Sequence, residues 1–290
     1  MGAALAVEYA EAGRTIGLIA RNKRRLDDVA ACCANTGARC LTGSIDVTDQ
    51  VALERWIDAF DAEHPIDLLF VNAGVYTGHG AGGQMETIEE VLGLIRTNLE
   101  GAAITIGAVL PGMRRRRRGR IVLIGSLAAL QCLPDAPGYS ASKAGLVVYG
   151  EALREYLACE GISVSIVCPG YIKTAQTAHH VGALPLQMTP QRAAAIIRRR
   201  VDRGRSFIAF PLRLYMLIRL GRLVDWRIRA FLGRGFRFYT EKPLLSHTEA
   251  RATKPAGPML TSLADELDPK RDDQCCSEAM ASPGQGRRSK

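Results

Sequence analysis

Arg120-Ile121-Val122-Leu123-Ile124-Gly125-Ser126 is apolar without alternation between its first and last residues. A strand with one wet face alternates polar and apolar side chains, whereas a strand covered on both faces reads as a continuous apolar run. This stretch therefore fits the interior of a parallel sheet with helices on either side. Comparable runs recur at Ile16 to Ala20, Arg39 to Ile45, Asp67 to Asn72, Ile162 to Val167 and Ser206 to Phe210. Between them lie segments with helical spacing: Lys23 to Asn35, Val51 to Glu63, Ile88 to Leu110, Ser140 to Cys159 and Pro190 to Arg203. The last opens on Thr189-Pro190, a capping residue followed by proline at the first helical position. Ahead of Val51, Asp46 and Thr48 are both candidate caps, Thr48 the stronger. The alternation predicts an α/β fold with a doubly wound parallel sheet.

In such sheets ligands bind beyond the carboxyl ends of the strands. Asn72-Ala73-Gly74, Ser126 and Cys168-Pro169-Gly170 each follow such an end, so three strand ends point at one crevice. Thirteen residues after Ser126 comes Tyr139-Ser140-Ala141-Ser142-Lys143. A four-residue step puts the phenol and the ammonium on one helix face. Free tyrosine titrates near pH 10, and a nearby cation favours its anion, which makes the pair a usable proton shuttle. Taken alone, each part has a plainer reading. The Tyr–Lys spacing is more often an exposed helix pair, Ser126 a turn cap and Asn98 a polar residue bonding backbone inside a helix.

Their order changes that reading. Asp46-Val47, Asn72-Ala73-Gly74, Asn98 within Asn98-Leu99-Glu100-Gly101, Ser126, Tyr139-x-x-x-Lys143, and Pro169-Gly170 followed by Thr174 together closely resemble the short-chain dehydrogenase/reductase family, from residue 2 to about 210. The resemblance implies a Rossmann-like domain over residues 1–210 and an NAD(P)-dependent oxidoreductase that interconverts a carbonyl and a secondary alcohol. By the same resemblance Tyr139 is the general acid/base and Ser126 hydrogen-bonds the reacting oxygen. Lys143 lowers the tyrosine pKa and holds the nicotinamide ribose, and Asn98 fixes a water that links Lys143 to solvent. Asp46 and Val47 are expected to contact the adenine, and Asn72, Ala73 and Gly74 to line its pocket. Pro169, Gly170, Ile172 and Thr174 are expected near the nicotinamide amide and pyrophosphate, with Tyr139 and Lys143 also touching the cofactor.

Nucleotide choice is read at the end of the second strand of such a sheet, where an acid selects NAD. Here Ala20-Arg21 stands there, with Lys23, Arg24 and Arg25 nearby, so NADP is expected over NAD. Relatives open with a strand and a T-G-x-x-x-G-x-G turn whose backbone N–H groups hold the pyrophosphate. In this chain Gly2 matches the last of those glycines, and Ala3 to Ala12 is already helix-like, closed by Gly13. The expectation is a domain without that first strand and turn. Two accounts stay open: an ordinary enzyme whose opening segment lies upstream, or a truncated, noncatalytic relative acting as a binding or membrane-surface protein.

The chain has 290 residues and a formal net charge of +9. Thirteen arginines between Arg192 and Arg237 face only Asp202 and Asp225, so the excess is local. After Phe210-Pro211, residues 211–240 are expected to form a basic amphipathic helical extension, with Leu214, Leu217, Leu220, Val224, Ile228 and Phe231 on one face. It reads as a lid, as subunit packing in a homo-oligomer, or as a peripheral membrane contact through 212–232. Residues 241–290 have a disordered composition. The arginine run Arg114 to Arg118 lacks interleaved aromatics, so no nucleic acid partner is expected. Eight cysteines without metal-ligand spacing, and His179-His180 without further ligands, point to reduced thiols and no metal site. The start has no basic leader, and no charge-free run reaches the roughly 18 residues of a spanning helix, so a cytoplasmic protein is expected. Pocket segments Ala128 to Pro137 and Tyr171 to Met188 mix apolar and polar types, and a small-molecule substrate of apolar character is expected.

Overall fold

A computed structural model describes residues 1–80, 83–174, 177, 180, 181, 184, 186–232, 239 and 240. All of them fall in one compact unit, and the expected tail, 241–290, lies outside the described residues. In chain order the first half reads α1 (Gly2–Tyr9), β1 (Thr15–Ala20), α2 (Lys23–Ala34), β2 (Arg39–Ser44), α3 (Gln50–Glu63), β3 (Leu68–Val71), α4 (Ile88–Ile95), α5 (Gly101–Arg116) and β4 (Gly119–Ile124). The second half reads α6 (Pro137–Leu157), β5 (Ile162–Pro169), β6 (His180–Val181), α7 (Pro190–Val201), β7 (Phe207–Phe210), α8 (Leu212–Gly221), α9 (Trp226–Leu232) and β8 (Tyr239–Thr240).

The apolar run around Leu123 lies where its composition requires. β4 pairs in parallel with β3 on one side and β5 on the other, and β7 extends the sheet beyond β5. Ile121, Val122 and Leu123 have no accessible surface. Alternate residues of β4 serve opposite layers. Ile121 and Leu123 join Leu53, Ile106 and Leu146 from α3, α5 and α6. Val122 and Ile124 join Leu5 from α1 and Ala193, Ala194 and Ile197 from α7.

The sheet is in two pieces. β1 and β2 form a parallel pair, Thr15 opposite Arg39 through Ala20 opposite Ser44. Among the described residues no ladder joins this pair to β3, and both β1 and β3 line one large cleft. α1 is held by Leu5 in the α7 layer, by the Tyr9 ring 5.1 Å from Phe70, and by Arg198, which donates to Glu11 and to the Glu8 carbonyl.

Three local expectations change. The segment Ile88 to Leu110 is not one regular helix, because a π-helical turn over Arg96–Glu100 separates α4 from α5 and carries Asn98. The cap of α3 is Asp49, which accepts from Ala52 N, while Asp46 is occupied by the backbone N–H and hydroxyl of Thr48. The extension after Pro211 is two short helices, with Leu214 turned inward beside Ile218 and Leu217 and Leu220 exposed. In the arginine run, Arg114 pairs with Glu160 and Arg116 with Asp61, each through two hydrogen bonds. Those two guanidinium groups clamp neighbouring elements.

Candidate active site

The first turn of α6 carries Tyr139, and its N-terminus has no local cap. Ala136 offers no side-chain acceptor and Pro137 has no N–H, so Gly138 supplies the first free donor. Glu86, fifty-two residues earlier, fills the role: its Oε2 accepts from Gly138 N at 2.6 Å, and its Oε1 accepts from the Thr77 hydroxyl at 3.0 Å. A carboxylate is favourable at a helix N-terminus. A Cβ on Gly138 would lie 2.9 Å from that carboxylate, which is why glycine stands there. Thr77 belongs to the loop after β3, and the Tyr76 ring of that loop meets the Tyr139 ring edge-on at 4.8 Å. Sequence reasoning missed Tyr76, Thr77 and Glu86, because nothing in their spacing from Tyr139 is periodic.

Ser126 follows β4 in extended conformation and caps a short 3₁₀ turn, accepting from Ala128 N at 3.1 Å. It also hydrogen-bonds the Tyr139 phenol. The turn-cap reading is realised, and the same side chain faces Tyr139. Tyr139 keeps partial exposure toward the cleft. Burial raises its pKa, and the Ser126 hydrogen bond pulls the other way.

Lys143 is 5% exposed and donates to the Ile124 carbonyl at 3.0 Å. Burial lowers its pKa to about 8. The net direction at Tyr139 is upward, set by burial of the phenol, so the depression expected from Lys143 does not decide its pKa here. The physical reason is that desolvation penalises the phenolate. The buried thiol of Cys168, at the end of β5, is pushed up to about 12 by its own burial.

Asn98 is fully buried. Its amide nitrogen donates to the Val75 carbonyl at 3.0 Å and to Ser142 Oγ at 2.9 Å, and its oxygen accepts from Val75 N at 2.7 Å. Ser142 in turn donates to the Tyr139 carbonyl at 2.8 Å. The side chain thus ties the loop after β3 to the catalytic-helix candidate α6, and it does not line the cleft.

Every position expected to hold cofactor does line it. Gly2, Arg21, Asp46, Val47, Asn72 to Gly74, Tyr139, Lys143, Pro169, Gly170, Ile172 and Thr174 border one continuous space of about 2670 Å³. That exceeds the roughly 300–1,000 Å³ of a small-molecule site because it runs on between β1 and β3. Two close approaches match a narrow cradle. A Cβ at Gly2 would come within 2.6 Å of the Asn72 amide, and one at Gly74 within 3.2 Å of Lys143 Nζ. At the far end, Arg21 is largely exposed and only 3.7 Å from Asp46, a loose pairing that leaves the guanidinium available. These residues fit a nicotinamide dinucleotide laid across the strand ends. Among the described residues no cluster of three His, Cys, Asp or Glu forms a metal-type site, and no helix is long and apolar enough to cross a membrane.

The profile for short chain dehydrogenase matches residues 1–182. The chain belongs to the short-chain dehydrogenase family. An uncharacterized oxidoreductase of Myxococcus xanthus (strain DK1622) is 33% identical over 225 residues, covering 77% of this chain and 88% of that protein. Ketoacyl reductase HetN of Nostoc sp. (strain PCC 7120 / SAG 25.82 / UTEX 2576) is 31% identical, covering 59% of this chain and 60% of that one. Among solved structures, a metagenomic short-chain oxidoreductase in complex with NADP superposes with a TM-score of 0.60 at 27% identity, over 72% of this chain and 88% of that one. An NAD+-bound xylitol dehydrogenase gives 0.56 at 27% identity, over 60% and 67%. Short-chain dehydrogenases are oxidoreductases acting on CH–OH groups with NAD or NADP, and both cofactor forms occur among these relatives.

Proposed function

We propose that this short-chain dehydrogenase reduces an apolar ketone to a secondary alcohol with NADPH, and that Tyr139 is the proton donor. The observation that carries the reading is the single cleft that joins Ser126, Tyr139 and Lys143 to the cationic end at Arg21.

When bound, the nicotinamide supplies the hydride. The rest is the work of this chain's own groups. The raised pKa of Tyr139 keeps its phenol protonated at neutral pH, the state required of an acid in the reducing direction. The Ser126 hydroxyl, already within hydrogen-bonding reach of that phenol, steadies the developing charge on the carbonyl oxygen. Lys143 is a protonated ammonium below about pH 8, and its field offsets the phenolate left after transfer. Asn98 acts through position, holding α6 against the loop after β3. Arg21, with Arg25 on the same cleft wall, suits the 2′-phosphate of NADPH, as no acid stands at the end of β1.

The test is oxidation of NADPH by the full chain with a panel of apolar ketones. Tyr139→Phe is expected to cut kcat by about 100- to 10,000-fold, the usual worth of a positioned acid, while NADPH binding stays within about twofold. Wild-type protein that turns over no ketone, or a Tyr139→Phe variant as fast as wild type, sinks the reading.

A further inference from the structure

α8 is a plate with two unlike faces. Its inner face, Leu214, Tyr215 and Ile218, packs on Leu127, Val147 and Ile166 and closes one wall of the cleft. Its outer face leaves Leu212, Met216, Leu217 and Leu220 between 48% and 67% exposed, and the stripe continues through Leu223, 84% exposed, and Trp226, 64%. Nine of the seventeen exposed large apolar side chains among the described residues fall between Leu212 and Phe231. Such concentration marks an interaction surface rather than scattered exposure. Arg213 and Arg219 on α8, Arg222 just after it and Arg227 on α9 are exposed, and none has an ion-pair partner among the described residues. The local acid, Asp225, is occupied by the backbone N–H of Arg227, whose guanidinium lies 5.7 Å from the Trp226 ring centre.

We propose that the outer face of α8 and α9 docks on an anionic lipid bilayer. The partner's chemistry follows from the face: leucines, a methionine and a tryptophan to enter the headgroup and acyl boundary, and unpaired arginines to meet lipid phosphates. α8 has ten residues, about 15 Å of helix against a hydrocarbon core of about 30 Å, so it lies along the surface. A second copy is the poorer occupant. In a two-fold interface the same patch meets itself, which would bring these arginines toward their own equivalents at the centre of an apolar contact, where charge is depleted. Leu217, Arg222 and Trp226 also border the cleft, so the docked face includes part of its mouth. A ketone dissolved in the bilayer would then reach Tyr139 without crossing water. That last step rests on the proposed carbonyl reduction; the docking does not.

Flotation of the full chain with vesicles reads docking without turnover, and so separates failure here from failure of the catalytic reading. The protein is expected to float with phosphatidylcholine vesicles containing phosphatidylglycerol at low salt, and to be released at high salt. Arg219→Gln with Arg227→Gln is expected to weaken partition roughly 30-fold, from two lost cation–headgroup attractions. Leu220→Ser with Leu223→Ser should weaken it by more than about 100-fold. Both pairs are exposed, and a urea midpoint equal to wild type confirms folding. The proposal is overturned by wild-type protein that stays in solution with phosphatidylcholine vesicles whether or not they contain phosphatidylglycerol, or by flotation indifferent to salt, to phosphatidylglycerol and to the arginines. A dimer that does not float and that Leu220→Ser with Leu223→Ser dissociates would assign the face to a second copy instead.

Discussion

The four-stranded sheet and the two-stranded pair are both parallel, yet they differ in how much of each strand they bury. In β4 and β5 all but one residue of each strand is buried. In β1 and β2 only Gly43 is, and the remainder is half-buried or exposed. Tyr139, Lys143 and Ser126 all lean on the well-packed half, through Ile124 and Cys168, whereas Arg21 and Asp46 sit on the open half. Proton chemistry needs groups held to fractions of an ångström, and packing supplies that. The nucleotide recognition proposed for Arg21 relies on exposed charge, which tolerates a looser frame.

The sharpest way to break this contrast is stability. Leu123→Ala removes a fully buried side chain and is expected to cost about 2–5 kcal/mol, whereas Leu18→Ala, half-buried in β1, should cost about 1 kcal/mol. Urea midpoints compare them, and equal losses would show that the two halves are equally packed. A smaller effect sharpens the contrast at the cofactor end. Arg21→Ala should raise the KM for NADPH about tenfold and leave that for NADH unchanged, as expected from one lost charge-assisted contact at an exposed site.

Next is the pH profile, where activity and stability should move in opposite directions. Burial lowers the Lys143 pKa from 10.5 to about 8, so above pH 8 the folded protein loses this proton before the unfolded chain does. In that window the unfolded state binds more protons, and this group's contribution to stability rises with pH up to about 10.5. Ketone reduction should fall over the same range, by up to about tenfold per pH unit in kcat/KM, as the ammonium that offsets the phenolate is lost. An activity that stays flat through pH 9 would remove Lys143's charge from the chemistry. The smallest expected effect tests the long-range cap. Glu86→Gln, which keeps only one acceptor, should lower kcat roughly three- to fivefold with the KM for NADPH unchanged. A change confined to thermal stability would make Glu86 a fold residue alone.

Much of this molecule could be read along the chain. The six long strands lie within one or two residues of the runs that announce them, because a short run bounded by turn residues is a purely local signature. The spacing of Tyr139 and Lys143, and the order of Asn98, Ser126 and Pro169-Gly170, likewise belong to single segments. The π turn at Asn98 could not be read. It depends on hydrogen bonds to Val75, twenty-three residues away, and to Ser142, forty-four residues away. Nor could the inward turn of Leu214, which depends on the ends of β5 and β7, or the broken helix after Pro211.

The sequence by itself determined which segments are strands, which residues can carry a proton, and that Ala20-Arg21 rather than an acid ends the first strand. Tertiary structure alone decided that the sheet stands in two pieces, that Glu86 caps the helix of Tyr139, that Lys143 spends a hydrogen bond on Ile124, and that α8 presents a bare apolar face. Periodicity is set by neighbours in the chain. Desolvation and capping are set by neighbours in space, and those belong to no single segment.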